Sequence, residues 1–136
     1  MWVVYALLGA IFASLNAICA KVGLVGVNSY LATGIRSVVI LGLSWSIVLG
    51  IGGEKGLPDL SKNNWWFLIL SGLSSGFSWI CFYKALKMGD ASKVVSVDKL
   101  SVVLTIIFAT AFLGEPISRK TVVGAAIMTI GITLLI

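Results

Sequence analysis

The sequence predicts an all-α integral membrane protein with five transmembrane helices. Hydrophobic residues make up 59% of the 136 residues, whereas charged residues make up only 11%. A soluble domain has about 25% charged residues, because its surface must be covered with polar groups. The apolar residues also fall into five runs of about 20 residues, the length of helix that spans the hydrocarbon core of a bilayer. Composition and run length therefore predict the same class.

The five runs fill almost the whole chain, which is predicted to be one membrane domain, 1–136. Five spans use roughly 100 residues, so the connections are short and leave no room for a soluble domain. Gly23 separates the first two runs, Gly52–Asp59 is an exposed polar loop, and Gly114 ends the fourth run. Ser118 is expected to cap the fifth helix. The predicted helices cover 2–22, 30–50, 65–86, 92–113 and 118–136.

The composition argues against most catalytic and metal chemistry. There is no histidine, which removes imidazole-based acid–base catalysis, triads and metal ligation. Cys19 and Cys81 both lie inside apolar runs and form no CxxC motif. The net charge of +5 comes from single basic residues that flank apolar runs, as is typical of membrane-edge anchors. We expect no enzyme activity, no cofactor, no metal and no nucleic-acid partner.

The basic residues outside the apolar runs are divided evenly between the two sides of the predicted membrane. An imbalance in these residues normally orients a membrane protein. Two interpretations stay open: the chain inserts both ways up and pairs with an inverted copy, or another feature fixes one orientation. Many transporters consist of two inverted halves, which favours an antiparallel homodimer. The N-terminal side has Lys55, Lys62, Arg119 and Lys120, and the opposite side has Lys21, Lys84, Lys87 and Lys93.

Three ionisable residues, Arg36, Asp98 and Lys99, lie inside predicted spans, where charge is costly and indicates a functional site. Arg36 and Asp98 each lie about 9 Å from the same membrane side, so they are able to pair. Two cations and one anion suit an anionic or zwitterionic small-molecule substrate, and Asp98 is also a candidate for carrying a coupling proton. The alternative is that Arg36 and Lys99 snorkel to the membrane surface along their aliphatic stems.

Aromatic residues of the third predicted helix extend this candidate substrate site. Trp79 and Tyr83 are four residues apart and therefore share one helix face. They are predicted to line the wall or gate of the substrate pocket. The alternative is that they face lipid or pack against other helices.

Small residues of the fifth predicted helix indicate a dimer interface. Gly124 and Gly131 are seven residues apart on one face, with Ile127 and Met128 between them. Small residues let two membrane helices approach closely. This stripe is predicted to join two copies of the fifth helix.

Several of these segments together resemble an EamA domain of the drug/metabolite transporter superfamily. The run 85–92 (ALKMGDAS) leads into an apolar helix that ends in 112–118 (FLGEPIS), followed by 124–131 (GAAIMTIG). The resemblance covers essentially the whole chain. Most members are similar to two such domains fused as inverted halves, which implies that this half-size chain is completed by an antiparallel second copy.

The glycine stripe is also similar to the last-helix dimerisation stripe of the small multidrug resistance proteins. Those proteins carry a membrane-embedded glutamate in their first helix, which has no counterpart here. Asp98 is the acid positioned to substitute for it.

The resemblance implies a secondary transporter that moves a small metabolite or drug-like solute by alternating access. It implies a multi-pass protein of a plasma or inner membrane, of prokaryotic origin, with the lipid bilayer as its surroundings. Two alternatives stay open: a non-transporting partner subunit of another membrane transporter, and a flippase for a lipid or lipid-linked headgroup.

Overall fold

In the computed structural model, which describes residues 2–136, every regular element is helical. The prediction of an all-α protein is confirmed. The α-helices are α1 (Trp2–Gly23), α2 (Ser29–Gly50), α3 (Lys62–Met88), α4 (Ala91–Asp98), α5 (Leu100–Leu113) and α6 (Arg119–Leu135), and a 3-10 helix covers Gly53–Asp59.

Four stretches of the described chain are long and apolar enough to cross a membrane: α1, α2, α3, and Ala91–Leu113, which α4 and α5 form together. A multi-pass membrane protein is thereby supported. Helix α6 has 17 residues, which gives a length of about 25 Å at 1.5 Å per residue. The hydrocarbon core is about 30 Å thick. The fifth span therefore stays a prediction.

The fourth predicted helix, 92–113, is not continuous, because α4 and α5 meet at Lys99. The Lys99 N–H donates to the Ser96 carbonyl at 3.1 Å, and the Lys99 carbonyl accepts from the Val102 N–H at 3.0 Å. Both bonds join residues three apart instead of four. The chain thus tightens into a 3-10 turn inside the membrane-spanning stretch, a feature that often marks a hinge or local strain.

The polar connection after α2 is more ordered than the predicted loop. Gly53–Asp59 forms a 3-10 helix, preceded by Gly52 with a φ of 70°. Glycine adopts this left-handed conformation without the steric cost that a Cβ imposes. Helix α3 begins at Lys62, three residues before its predicted start. The connection between these two spans therefore consists of residues 51–61.

Polar caps and one glycine define the ends of three helices. The Asn28 side chain accepts the Tyr30 N–H at 2.9 Å and so caps α2. Ser118 Oγ accepts the Thr121 N–H at 3.1 Å and caps α6, as predicted. Gly114 ends α5 with a φ of 66°, which confirms the predicted break. Each cap satisfies a backbone group that has no partner within its helix.

The chain divides into two compact units. Cys19–Met88 forms one unit, in which α2 packs against α3. Gly89–Ile136 and the first part of α1 form the other, in which α4 and α5 both contact α6. Most large apolar side chains are exposed, which suits helices that meet lipid or another chain. Among residues 2–136, the buried ones are Ala17, Leu24, Ser29, Thr33, Tyr83, Leu86 and Ile132.

Candidate functional site

Three of the predicted site residues come together between α2 and α3. The Arg36 Cζ atom lies 3.3 Å from the centroid of the Trp79 ring and 5.7 Å from that of the Tyr83 ring. The two rings meet edge to face, with centroids 5.8 Å apart and planes at 88°. A guanidinium over aromatic faces is attracted by their quadrupoles. We call Arg36, Trp79 and Tyr83 the Arg36 cluster.

Helix α2 presents Arg36 from a polar stripe. Ser29, Thr33, Arg36 and Ser37 follow i, i+4, i+7 and i+8 spacing and therefore share one face. The Thr33 hydroxyl donates to the Ser29 carbonyl, and the Ser37 hydroxyl donates to the Thr33 carbonyl, both at 2.9 Å. Both hydroxyl groups therefore donate their hydrogen bonds to carbonyls of α2 itself. The guanidinium is the one charged group of the stripe.

Helix α3 supplies the opposing face at the same helical spacing. Trp79, Tyr83 and Leu86 lie at i, i+4 and i+7. Tyr83 and Leu86 are buried and Trp79 is half-buried. The rings of Trp79 and Phe82 also meet edge to face, with centroids 5.4 Å apart. Neighbouring side chains therefore help to hold the ring beneath the guanidinium.

The Arg36 charge has no carboxylate nearby in its own unit. Arg36 lies seven residues into α2, about 10 Å along the axis from its start. The two carboxylates of the unit, Glu54 and Asp59, lie beyond the opposite end of α2. A cation inside a membrane costs a few kcal/mol, and cation–π contacts return about 1–2 kcal/mol. Within this unit the Arg36 charge is therefore compensated by aromatic rings and not by a carboxylate.

The remaining two predicted site residues lie at the helix break in the other unit. Asp98 is the last residue of α4 and Lys99 joins α4 to α5. Both side chains are exposed in this chain. The predicted pairing of Arg36 with Asp98 stays a prediction, because the two residues belong to different units.

The predicted dimer stripe follows the edge of the packed face of α6. Gly124 and Ile127 are exposed, whereas Met128 and Gly131 are half-buried. A Cβ at either glycine would meet no atom within 4 Å. No close approach among the described residues therefore requires these glycines, and contact with a helix of another copy stays their predicted role.

Two lysines that the sequence indicated only as membrane-edge anchors have specific backbone partners. Lys21 Nζ donates to the Leu86 carbonyl at 2.6 Å, and Lys87 Nζ donates to the Val27 carbonyl at 2.8 Å. The sequence shows only that each lysine lies in the last turn of its helix; it does not show which carbonyl each one reaches. Carbonyls at helix ends lack helical partners and attract cationic side chains.

Comparison with known proteins gives a consistent result. Residues 1–136 match the EamA-like transporter family. The chain is also 44% identical over 134 residues to a protein described as "Uncharacterized transporter in cobO 3'region" from Sinorhizobium sp. That alignment covers 98% of this chain and 95% of the relative, so the two are nearly equal in length. No solved structure shows significant similarity to this chain.

Proposed function

Because this chain belongs to the EamA-like transporter family, we propose that it is a secondary transporter for a small anionic or zwitterionic solute. The family and the similar transporter make it a membrane transporter and not an enzyme. The proposed mechanism is alternating access in an antiparallel homodimer of the plasma or inner membrane. The proposed substrate-site residues are Arg36, Trp79, Tyr83, Asp98 and Lys99.

The Arg36 cluster is the observation that carries this proposal. Its guanidinium is held 3.3 Å above the Trp79 ring inside a membrane-spanning helix. The ring lies against the guanidinium, whose N–H donors suit a carboxylate or a phosphate. A solute that supplies this anion would also lower the cost of the cation in the membrane.

The break at Lys99 supports a second part of the same site. Irregular backbone at membrane depth is tolerated where it lines a water-filled cavity or is buried in protein. The break lies eight residues from the start of α4, about 12 Å along the helix axis. Asp98 and Lys99 therefore suit a water-accessible path, in which Asp98 is the proposed carrier of a coupling proton.

The homodimer is supported by the inverted-repeat design of transporters, in which a single half does not complete the substrate site. Transporters of inverted-repeat design place the substrate site between two halves, and this chain provides one half of that design. In the proposed assembly α6 is the fifth span and its Gly124-to-Gly131 stripe contacts the same stripe of the second copy. The equal division of loop lysines and arginines is compatible with insertion in both orientations.

Uptake into proteoliposomes tests the substrate site. We would screen amino acids, carboxylates and phosphate esters with the full chain and then compare variants on any transported solute. Arg36→Ala should lower uptake at least about tenfold, because 1.4 kcal/mol of lost interaction corresponds to tenfold. Arg36→Lys should keep part of it. The control is Ser46→Ala. Ser46 lies in the same helix, and its hydroxyl donates to the Gly42 carbonyl of that helix. If Arg36→Ala takes up the solute at the wild-type rate, Arg36 is not part of the substrate site.

Cysteine labelling of intact cells tests the antiparallel arrangement. In a chain without Cys19 and Cys81, one cysteine replaces either Asn63 or Met88. These positions lie at opposite ends of α3, about 37 Å apart along its axis, so they reach opposite membrane surfaces. Dual insertion predicts labelling of about half the molecules at both positions by an impermeant thiol reagent. Full labelling at one position and none at the other contradicts an antiparallel homodimer.

A further inference from the structure

A second basic site lies apart from the Arg36 cluster, where α1 and α3 end. An open depression of about 220 Å³ lies between two lysines and beside the turn that joins α1 to α2. We call it the lysine depression. Its lining includes Lys21, Leu24, Gly26, Leu86 and Lys87.

The two lysines are held in place by backbone contacts. Lys21 reaches the Leu86 carbonyl, and Lys87 reaches the Val27 carbonyl, so each ammonium group is fixed at the rim. An ammonium has three N–H donors, and the carbonyl contact of Lys87 uses one of them. The exposed Lys87 side chain is thus positioned to donate to a further acceptor.

The charge at this end of the unit is strongly positive. Lys21, Arg36, Lys84 and Lys87 lie toward it, whereas Glu54 and Asp59 lie beyond the other end of α2. The C-termini of α1 and α3 each add about half a negative charge here, and Asp90 follows α3 by two residues. The four cations outweigh these negative charges, so an anion is favoured here.

The lining of the depression is partly apolar. Leu24 and Leu86 are buried, with 3% and 0% of their surface exposed. The depression itself is open, so an anion bound there stays in contact with water. The volume is below the range of about 300–1,000 Å³ that is typical of sites for drug-sized ligands. It suits a small group such as a phosphate.

We propose that the lysine depression binds an oxyanion between Lys21 and Lys87. The phosphate comes either from the headgroup of an anionic phospholipid or from a soluble solute at the membrane surface. Basic pockets between membrane helices are known to hold lipid headgroups. This site uses other residues than the Arg36 cluster, and its existence does not depend on the transport cycle.

Thermal unfolding of the full chain in lipid nanodiscs tests the proposal. One arm adds inorganic phosphate to discs of phosphatidylcholine at constant ionic strength, and the other compares phosphatidylcholine discs with discs containing phosphatidylglycerol. A ligand that binds the folded state raises the unfolding midpoint. A rise with free phosphate identifies a soluble source, and a rise only with phosphatidylglycerol identifies the headgroup. No rise in either arm overturns the proposal.

Lysine variants locate the site. Lys21→Gln and Lys87→Gln should each raise the half-maximal concentration of the effective anion about fivefold, since a lysine near the surface contributes about 1 kcal/mol. Lys87→Arg should retain binding, because it keeps the charge and the donors. The matched control is Lys55→Gln in the 3-10 helix.

Equal losses for Lys55→Gln and Lys87→Gln would overturn the assignment, because they would indicate a general charge effect. If Lys21→Gln does not fold without its contact to Leu86, the Lys87 pair of variants decides the question. Retained binding by Lys87→Gln also overturns the proposal.

Discussion

Replacing Trp79 by leucine removes the ring that lies 3.3 Å from the Arg36 Cζ atom. The change keeps an apolar side chain in α3 but abolishes the aromatic face under the guanidinium. Tyr83, at 5.7 Å, still faces the cation from a greater distance. The substitution also removes the ring contacts of Trp79 with Phe82 and Tyr83, so the interaction with Arg36 has to be separated from them.

The expected size of this interaction follows from its geometry and burial. Cation–π contacts contribute about 0.5–1 kcal/mol at exposed positions and about 2 kcal/mol or more when desolvated. Arg36 and Trp79 are both half-buried, which places the pair between these limits. We expect a coupling free energy of about 1–2 kcal/mol, or a factor of roughly 5–30 in the unfolding equilibrium.

A double-mutant cycle measures this coupling. The free energy of unfolding is determined for the wild type, Arg36→Gln, Trp79→Leu and the double variant, by circular dichroism in mixed micelles of detergent and dodecyl sulfate. The coupling is the difference between the double change and the sum of the single changes. Circular dichroism is preferred to fluorescence because one variant lacks a tryptophan.

A control cycle combines Arg36→Gln with Trp66→Leu. Trp66 lies in α3 but is thirteen residues before Trp79, about 20 Å along the helix axis. Residues this far apart should give additive effects, within about 0.5 kcal/mol. If the Arg36–Trp79 cycle is as close to additive as this control, the stacking does not stabilise the fold and our account of the cluster is wrong.

Three further substitutions test the helix ends and the proposed dimer. Gly114→Ala should lower the free energy of unfolding by about 1 kcal/mol, because φ is 66° there. The control Gly9→Ala, at an open helical position, should not lower it. Equal losses in the two variants would show that the positive φ is not the cause. Ser118→Ala should cost about 1 kcal/mol through loss of the bond to the Thr121 N–H, and Ser118→Asp should recover most of it; a melting curve unchanged by Ser118→Ala would show that the cap is unimportant. Gly131→Leu should weaken the homodimer in chemical crosslinking, whereas an intact dimer would rule out the glycine stripe as its contact.

The presence of the helices and several of their ends were predictable from the sequence because they depend on local chemistry. An apolar run of about 20 residues crosses a bilayer as a helix, because a helix satisfies its backbone hydrogen bonds internally. Ser118 caps α6 and Gly114 ends α5 as their residue types predict. The break at Lys99 was not predictable in this way, because neither proline nor glycine occurs within the surrounding apolar run.

The candidate site was predictable only in part, for a related reason. Helix rise places Arg36 and Trp79 toward the same end of the membrane, and this much follows from counting residues. Which faces of α2 and α3 meet depends on their packing, so the stacking of Arg36 on Trp79 required the structure. The lysine contacts to Leu86 and Val27 are likewise tertiary, since they join residues 65 and 60 positions apart.

The position of Arg36 over Trp79 also has an optical consequence. A positive charge above an indole ring shifts the energy of its excited state, so the emission of Trp79 depends on where the guanidinium lies. An anion that withdraws or screens this charge changes the colour of that emission. The other tryptophans, Trp2, Trp45, Trp65 and Trp66, are exposed. If the proposed substrate anion binds at the Arg36 cluster, Trp79 would report its binding without any attached dye.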